Sequence, residues 1–213
     1  MIKAILFDID GVLVDSVKAN ARFYRDVLGH FGFPGPTDAE QAKHNHRTFI
    51  DNIRLYAPGA SEELIRKIFD YGVALPHSHD MLELMDGVKE TLEQLEKQYA
   101  LGVVSSRLHA SIGSLLEYFS LNQLFPVRVG FEDTEEHKPH PAPLLFGAKK
   151  LGLPVSQVVY VGDAATDIEA AKAADMRMIL YAAQPLPGPD VTIGKFSELP
   201  KFLQSLDVNG LLK

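Results

Sequence analysis

Two aspartates two positions apart, Asp8 and Asp10, close the apolar run Ile5-Leu6-Phe7. Alternate residues of a strand share a side, so this pair would face one way with Ile9 opposite. Like charges so close repel unless a cation or a proton separates them. Phosphoryl chemistry uses both remedies: one carboxylate attacks phosphorus and binds a divalent cation, and its neighbour carries the proton of the leaving oxygen. The plain structural alternative is a polar strand exit with Asp10-Gly11 making a turn.

Three more segments carry groups of the same chemistry, two of them at the end of an apolar run. Val103-Val104 leads into Ser105-Ser106-Arg107, where a hydroxyl and neighbouring backbone N–H groups can hold a phosphoryl oxygen, or where Ser105 simply caps a helix. His137-Lys138-Pro139 presents a lysine on a proline-stiffened segment, able to neutralise a carboxylate and a transferring phosphoryl group; a solvated surface lysine is the alternative. Val159-Tyr160-Val161-Gly162 runs into Asp163 and, four residues on, Asp167, oxygen ligands suited to Mg²⁺ or an acidic first turn of a helix. Ligands bind at the strand-end edge of an open α/β sheet, where groups so distant in sequence can converge.

The elements that must carry these groups follow from periodicity. Residues 2–7 read as a central strand buried on both faces. Residues 16–31, a stretch capped by Thr37-Asp38 and reaching about Tyr56, and a third from Ser61 read as helices, so residues 16–80 form a helical insert without strands. Strands and helices then alternate: helix 88–98, strand 100–104, helix 108–119, strand 127–130, helix 141–151, strand 158–161, helix 166–174, strand 178–181 and a final helix 196–206. The fold expected is α/β, a Rossmann-like parallel sheet with helices on both faces plus an inserted all-α cap, the core being 1–15 and 81–213 and the cap 16–80.

Composition bounds the partners. The 213 residues suffice for one α/β domain and a small insert, and 46% hydrophobic residues supply its core. A net charge of −7 argues against nucleic acid, and it leaves any anionic substrate to local positive groups. No cysteine is present, which excludes disulfides, a thiol nucleophile and cysteine-ligated zinc. No apolar run nears the roughly 18 residues of a membrane span, and the N-terminus is a strand cut short by acids, not a signal peptide, so a cytoplasmic location is expected. The histidines come in pairs, His44 and His46, His77 and His79, His137 and His140; the first two pairs have no standard metal-ligand spacing, so a zinc site is not expected from them.

These segments, in this order, resemble the haloacid dehalogenase-like superfamily, in particular its phosphatases with a small helical cap. Asp8-Ile9-Asp10-Gly11-Val12-Leu13-Val14-Asp15-Ser16 is a near-complete form of that family's first motif, and residues between about 15 and 81 match least. The resemblance implies that Asp8 is the nucleophile, forming an aspartyl phosphate, and that Asp10 is the general acid/base, its backbone carbonyl also binding the metal. Dehalogenases of the superfamily lack an acid at the position of Asp10, so phosphate esters are expected over haloacids. Ser105 takes the place of the family's phosphate-binding threonine or serine, and Ser106, where asparagine is common, is a mild departure. Lys138 takes the place of the family's lysine. Asp163 is implied as a direct metal ligand, and Asp167 as a support for the metal water or for Lys138. Asp175 departs from the glycine common at that helix end.

The reading is a Mg²⁺-dependent phosphatase, phosphoglycolate phosphatase-like, acting on a small phosphorylated metabolite as a monomer or homodimer. Asp8, Asp10, Ser105 and Lys138 are its catalytic residues and Asp8, Asp10, Asp163 and Asp167 its metal residues. Gly11, Ser106, Arg107, His44 and Arg47 are its substrate contacts, the last two on the second helix of the insert. A β-phosphoglucomutase-like transferase is the second reading; Gly162, where mutases often carry glutamate, leans away from it. A phosphometabolite-binding module without turnover is the third, and the retained nucleophile and lysine lean away from that.

Overall fold

A computed structural model describes residues 1–75 and 78–209, with side chains described as far as Ser205; His77 lies outside the described residues. The chain divides into two compact units, Met1–Val14 with Leu84 onward, and Asp15–Glu83.

The larger unit is built on a six-stranded sheet. Its strands are β1 (Ala4–Phe7), β4 (Ala100–Val104), β5 (Val127–Val129), β6 (Val158–Gly162), β7 (Arg177–Tyr181) and β8 (Val191–Ile193), in the order β5-β4-β1-β6-β7-β8. Every pairing is parallel, and β1 sits in the middle, aligned Phe7 to Val103 on one side and Phe7 to Val161 on the other. Side chains of β1 alternate between two buried faces. Ala4 and Leu6 join Val104, Val158, Tyr160 and Met178 under helices α7 (Ala142–Leu151) and α8 (Ala165–Ala173). Phe7 turns to the other face, stacked on Phe196 at 5.9 Å between ring centroids and edge-on to Phe125 at 6.0 Å. There α5 (Val88–Leu95) packs against α9 (Leu199–Asn209). Two glycines let α7 and β4 close on β1: a Cβ at Gly147 or Gly102 would stand 2.8 Å from a Leu6 methyl. Helix α6 (His109–Tyr118) completes the strand–helix alternation.

The smaller unit has its own core. Tyr24, Val27 and Leu28 of α1 (Val17–His30), Ile53 and Ala57 of and after α3 (Phe49–Tyr56), and Ile65 and Ile68 of α4 (Glu62–Ala74) bury one another. Chain enters and leaves through β2 (Val14–Asp15) and β3 (Glu83–Leu84), which pair as a two-stranded sheet.

Two features differ from the sequence expectation, and a third, at Asp175, agrees with it. The second helix of the insert is two: α2 (Asp38–His44) ends and α3 begins afresh after a four-residue turn. Thr48 is the cause, because its hydroxyl caps α3 by accepting from the Asp51 N–H at 3.2 Å. Arg47 therefore lies exposed in that turn, not on a helix, and His44 is the last residue of α2. The short strands β2, β3 and β8 were not expected, since two or three residues carry no readable period. Asp175, after α8, takes the left-handed φ of 52° that a glycine would adopt without strain.

Among the described residues, no helix is long and apolar enough to cross a membrane. Leu6 is fully buried at the centre of the sheet, so Leu6→Ala should lower unfolding free energy by about 2–5 kcal/mol in urea titrations. A loss under about 1 kcal/mol would show that this layer repacks freely.

Candidate active site

Three adjacent strands deliver the polar groups. Asp8 follows β1 and extends its pairing, its N–H donating to the Val161 carbonyl at 2.9 Å. Ser105 follows β4, its N–H donating to the Val129 carbonyl at 3.0 Å. Asp163 follows Gly162, the last residue of β6. Lys138 enters from the segment between β5 and α7, and Asp167 from the first turn of α8.

Lys138 is the hub. Its ammonium donates to Asp8 Oδ2 at 2.7 Å, to Asp167 Oδ1 at 2.8 Å and to the Tyr160 hydroxyl at 2.9 Å, which uses all three of its protons. The lysine side chain is 3% exposed and Asp167 not at all. Asp167 is fully used as well. Tyr160 donates to its Oδ1 at 2.9 Å, and the N–H groups of Asp163 and Ala164 donate to its Oδ2 at 3.2 and 3.1 Å. Asp167 thus holds the lysine and the loop, which favours the second of the two supporting roles expected for it. Asp8 keeps its Oδ1 on the Ile9 N–H at 2.7 Å.

Two glycines make room for this cluster. Gly162 has no side chain because a Cβ there would stand 2.5 Å from the Asp167 Cβ. Gly11 has a φ of 80°, and a Cβ on it would overlap the Asp163 carboxylate. The expected substrate-contact glycine is therefore required by a close approach of the first loop to Asp163. Its N–H donates to the Val14 carbonyl at 2.9 Å, closing that loop.

The electrostatics ask for a cation. Carboxylate oxygens of Asp8, Asp163 and Asp167 lie within 4.8 Å of one another, and one lysine pairs with two of them, Asp8 and Asp167. With all three ionised, two negative charges would remain, the charge a divalent ion would balance. Burial pushes the Asp8 carboxyl up to about 7, opposed by Lys138 and reinforced by Asp167. Burial pushes Asp163 up to about 8, with Asp167 and Asp8 adding to it. Burial works against the charge on Lys138, but Asp167 and Asp8 outweigh it and hold the ammonium above its ordinary value. Burial, then Asp167 and Asp8, keep the Tyr160 phenol protonated. Oxygen donors of this kind fit Mg²⁺.

The remaining expected residues fall in two places. Asp10 is not in the carboxylate group; its side chain meets Arg107, whose Nε and Nη2 donate to Asp10 Oδ2 and Oδ1 at 2.8 and 2.6 Å. As a metal residue Asp10 is thus left with its backbone carbonyl, because the carboxylate is turned to the arginine. Ser105 Oγ accepts from the Arg107 N–H at 3.3 Å, and Ser106 is half-buried in the bend between them. His44 and Arg47 belong to the other unit. The His44 carbonyl accepts from the Arg47 N–H at 3.1 Å, and burial, then Arg47 and Lys43, push the His44 imidazole down. Tyr160 is a site residue that sequence reasoning missed. The available signal was a hydroxyl inside a fully apolar strand, which needs a partner when buried.

Asp8 and Asp163 have folded values above their common unfolded value of 3.8, so their neutral forms favour the fold. That contribution is complete below about 3.8 and is lost as pH rises through about 7 and 8. In chelator, urea midpoints should fall from pH 5 to about 8 and level off above it. Magnesium should raise the midpoint more at pH 8 than at pH 5, because binding needs both carboxylates ionised. A midpoint flat across this range in Asp163→Asn and wild type alike would contradict the assignment.

Comparison with known proteins identifies the family. The family model "Haloacid dehalogenase-like hydrolase" matches residues 5–181. A phosphoglycolate phosphatase of Chromobacterium violaceum is 31% identical over 212 residues, covering 93% of this chain and 95% of its own. One of Aliivibrio fischeri is 34% identical over 184 residues, 81% of each chain. Among solved structures, a predicted phosphoglycolate phosphatase from Haemophilus somnus superposes with a TM-score of 0.75 at 26% identity, over 95% of this chain and 98% of its own. A β-phosphoglucomutase from Clostridium difficile shares the fold, with a TM-score of 0.79 at 18% identity over the whole of both chains. This chain belongs to the haloacid dehalogenase-like hydrolase family, among the phosphatases of that family.

Proposed function

We propose that the protein hydrolyses a small phosphorylated metabolite, phosphoglycolate or an ester like it, through a phosphoryl group carried transiently on Asp8. The observation behind this reading is the buried Lys138–Asp8 pair at the end of the central strand, 2.7 Å long and set beside Asp163. A lysine so enclosed has no structural partner to satisfy at the surface, and it lowers the cost of bringing an anion to an anionic nucleophile. The phosphoglycolate phosphatases similar over most of the chain support the substrate class.

Asp8 attacks phosphorus, forming an oxygen–phosphorus bond as the bond to the leaving alcohol breaks, and Asp10 gives that alcohol its proton. Asp10 then takes a proton from water, whose oxygen displaces Asp8 and releases phosphate. Lys138 balances the charge on Asp8 and the phosphoryl oxygens, and Ser105, with Ser106 and the Gly11 loop, orients them. Asp8, Asp163 and the Asp10 carbonyl would hold Mg²⁺, with Asp167 fixing Lys138. The ion, when bound, supplies positive charge against the charge that develops on the phosphoryl oxygens. These groups meet only what all phosphate esters share, so the proposal gives the choice among esters to the insert, with His44 and Arg47 as its reading residues.

Asp8→Asn removes the attacking oxygen with little change in volume. It also places a neutral group where burial already favours one. Phosphate release from a panel of phosphorylated metabolites, 2-phosphoglycolate included, should fall at least about 1000-fold with the circular dichroism spectrum kept. A folded variant retaining more than about a tenth of wild-type activity would overturn the nucleophile assignment.

Excess EDTA should abolish turnover, and Mg²⁺ should restore it. Zn²⁺ should restore it poorly, since the donors are carboxylates without cysteine or an ordered histidine set. Undiminished turnover in EDTA would rule out the metal as drawn.

A further inference from the structure

The sequence places Arg107 among the substrate contacts, and the structure gives its guanidinium to the Asp10 carboxylate. Arg107 and Asp10 form a two-point pair at 2.6 and 2.8 Å, with both side chains 12% exposed. Nη1 makes a third bond to Ser111 Oγ at 3.0 Å, so all three guanidinium nitrogens are engaged. The Arg107 backbone is fixed too: its N–H donates to Ser105 Oγ at 3.3 Å, and its carbonyl accepts from the Phe131 N–H at 2.8 Å. A planar fork on both oxygens leaves a carboxylate one rotational setting, which a single point charge does not impose. The pair spans 97 positions of sequence, joining the loop after β1 to the start of α6.

We propose that Arg107 is a positioning residue for Asp10. Its guanidinium sets where the proton-carrying carboxylate stands, and its effect on turnover passes through that carboxylate, not through direct capture of the phosphoryl group. Because the fork occupies both oxygens, Asp10 must give up one of these bonds to reach a substrate, and the bond that remains keeps it oriented. Ser111 holds the arginine in place during that exchange. The inference rests on the phosphatase reading above.

Arg107→Lys, Asp10→Asn and the double variant form a thermodynamic cycle in which lysine keeps the charge and loses the fork. Alone, Arg107→Lys should lower kcat about tenfold and change KM by less than about twofold. Added to Asp10→Asn, it should change the residual kcat by less than about twofold. Equal fold losses in both backgrounds, or a raised KM with kcat unchanged, would show direct substrate contact and overturn the proposal. No effect on wild type would overturn it equally. Nitrogen-15 NMR of arginine side chains supplies a readout free of turnover. A resonance absent from Arg107→Lys should show slowed guanidinium rotation in wild type, and rotation should become free in Asp10→Ala. Free rotation in wild type would sink the proposal even if the Arg107 variants fail to fold. A wild type inactive on every ester would sink the phosphatase reading and this inference with it, whereas additive losses in an active enzyme would sink this inference alone.

Discussion

A lysine buried among carboxylates is the interaction on which the rest of this structure depends. Lys138 spends every proton on Asp8, Asp167 and Tyr160, and each partner comes from a different element. Burying an ammonium is costly unless it is paired and fully hydrogen-bonded, and here it is both. The requirement spreads outward. Asp167 holds the lysine only because Gly162 lets it come close, and Asp163 is placed by the same loop. Tyr160 reaches the lysine from the middle of a buried strand, so the sheet itself becomes part of the site.

The cluster is at the same time stabilised and overcharged. Burial, with neighbouring carboxylates within 4.8 Å adding to it, leaves Asp8 and Asp163 with raised values. A site made only for stability would have replaced one acid with an amide or an apolar group. Retaining the excess charge keeps a place for a cation at the cost of fold stability near neutral pH, a trade expected where function opposes stability. Asp10 stands apart from this excess because Arg107 takes both of its oxygens. Two carboxylates two residues apart thus have different neighbours, a buried lysine for Asp8 and an arginine fork for Asp10.

Much of this was legible in the sequence, and for a physical reason. Asp8, Ser105 and Asp163 each end an apolar run, and a buried parallel strand must release its polar groups at its end. Tyr160 was hidden because a tyrosine among valines reads as core, and only the structure shows which hydroxyls are met. The partner of Arg107 was hidden because sequence spacing carries no information about pairing across 97 positions. The insert was legible as helical but not in its joints: α2 stops at His44 and Thr48 starts α3, and caps weigh little against a continuing polar–apolar pattern. The strand β8 escaped for the opposite reason, being too short to show any pattern.

The insert's private core has a further consequence. Tyr24, Val27, Ile53 and Ile68 bury one another within the insert, and the chain passes between the two units at Val14–Asp15 and Glu83–Leu84. Mutational damage is therefore compartmentalised. A substitution within residues 15–83 is answerable to its own helices, while the strand ends with Asp8, Lys138 and Asp163 answer to another core. Under selection the two parts can drift at different rates, so descendants of this chain could inherit one reaction while their insert explores new sequence space.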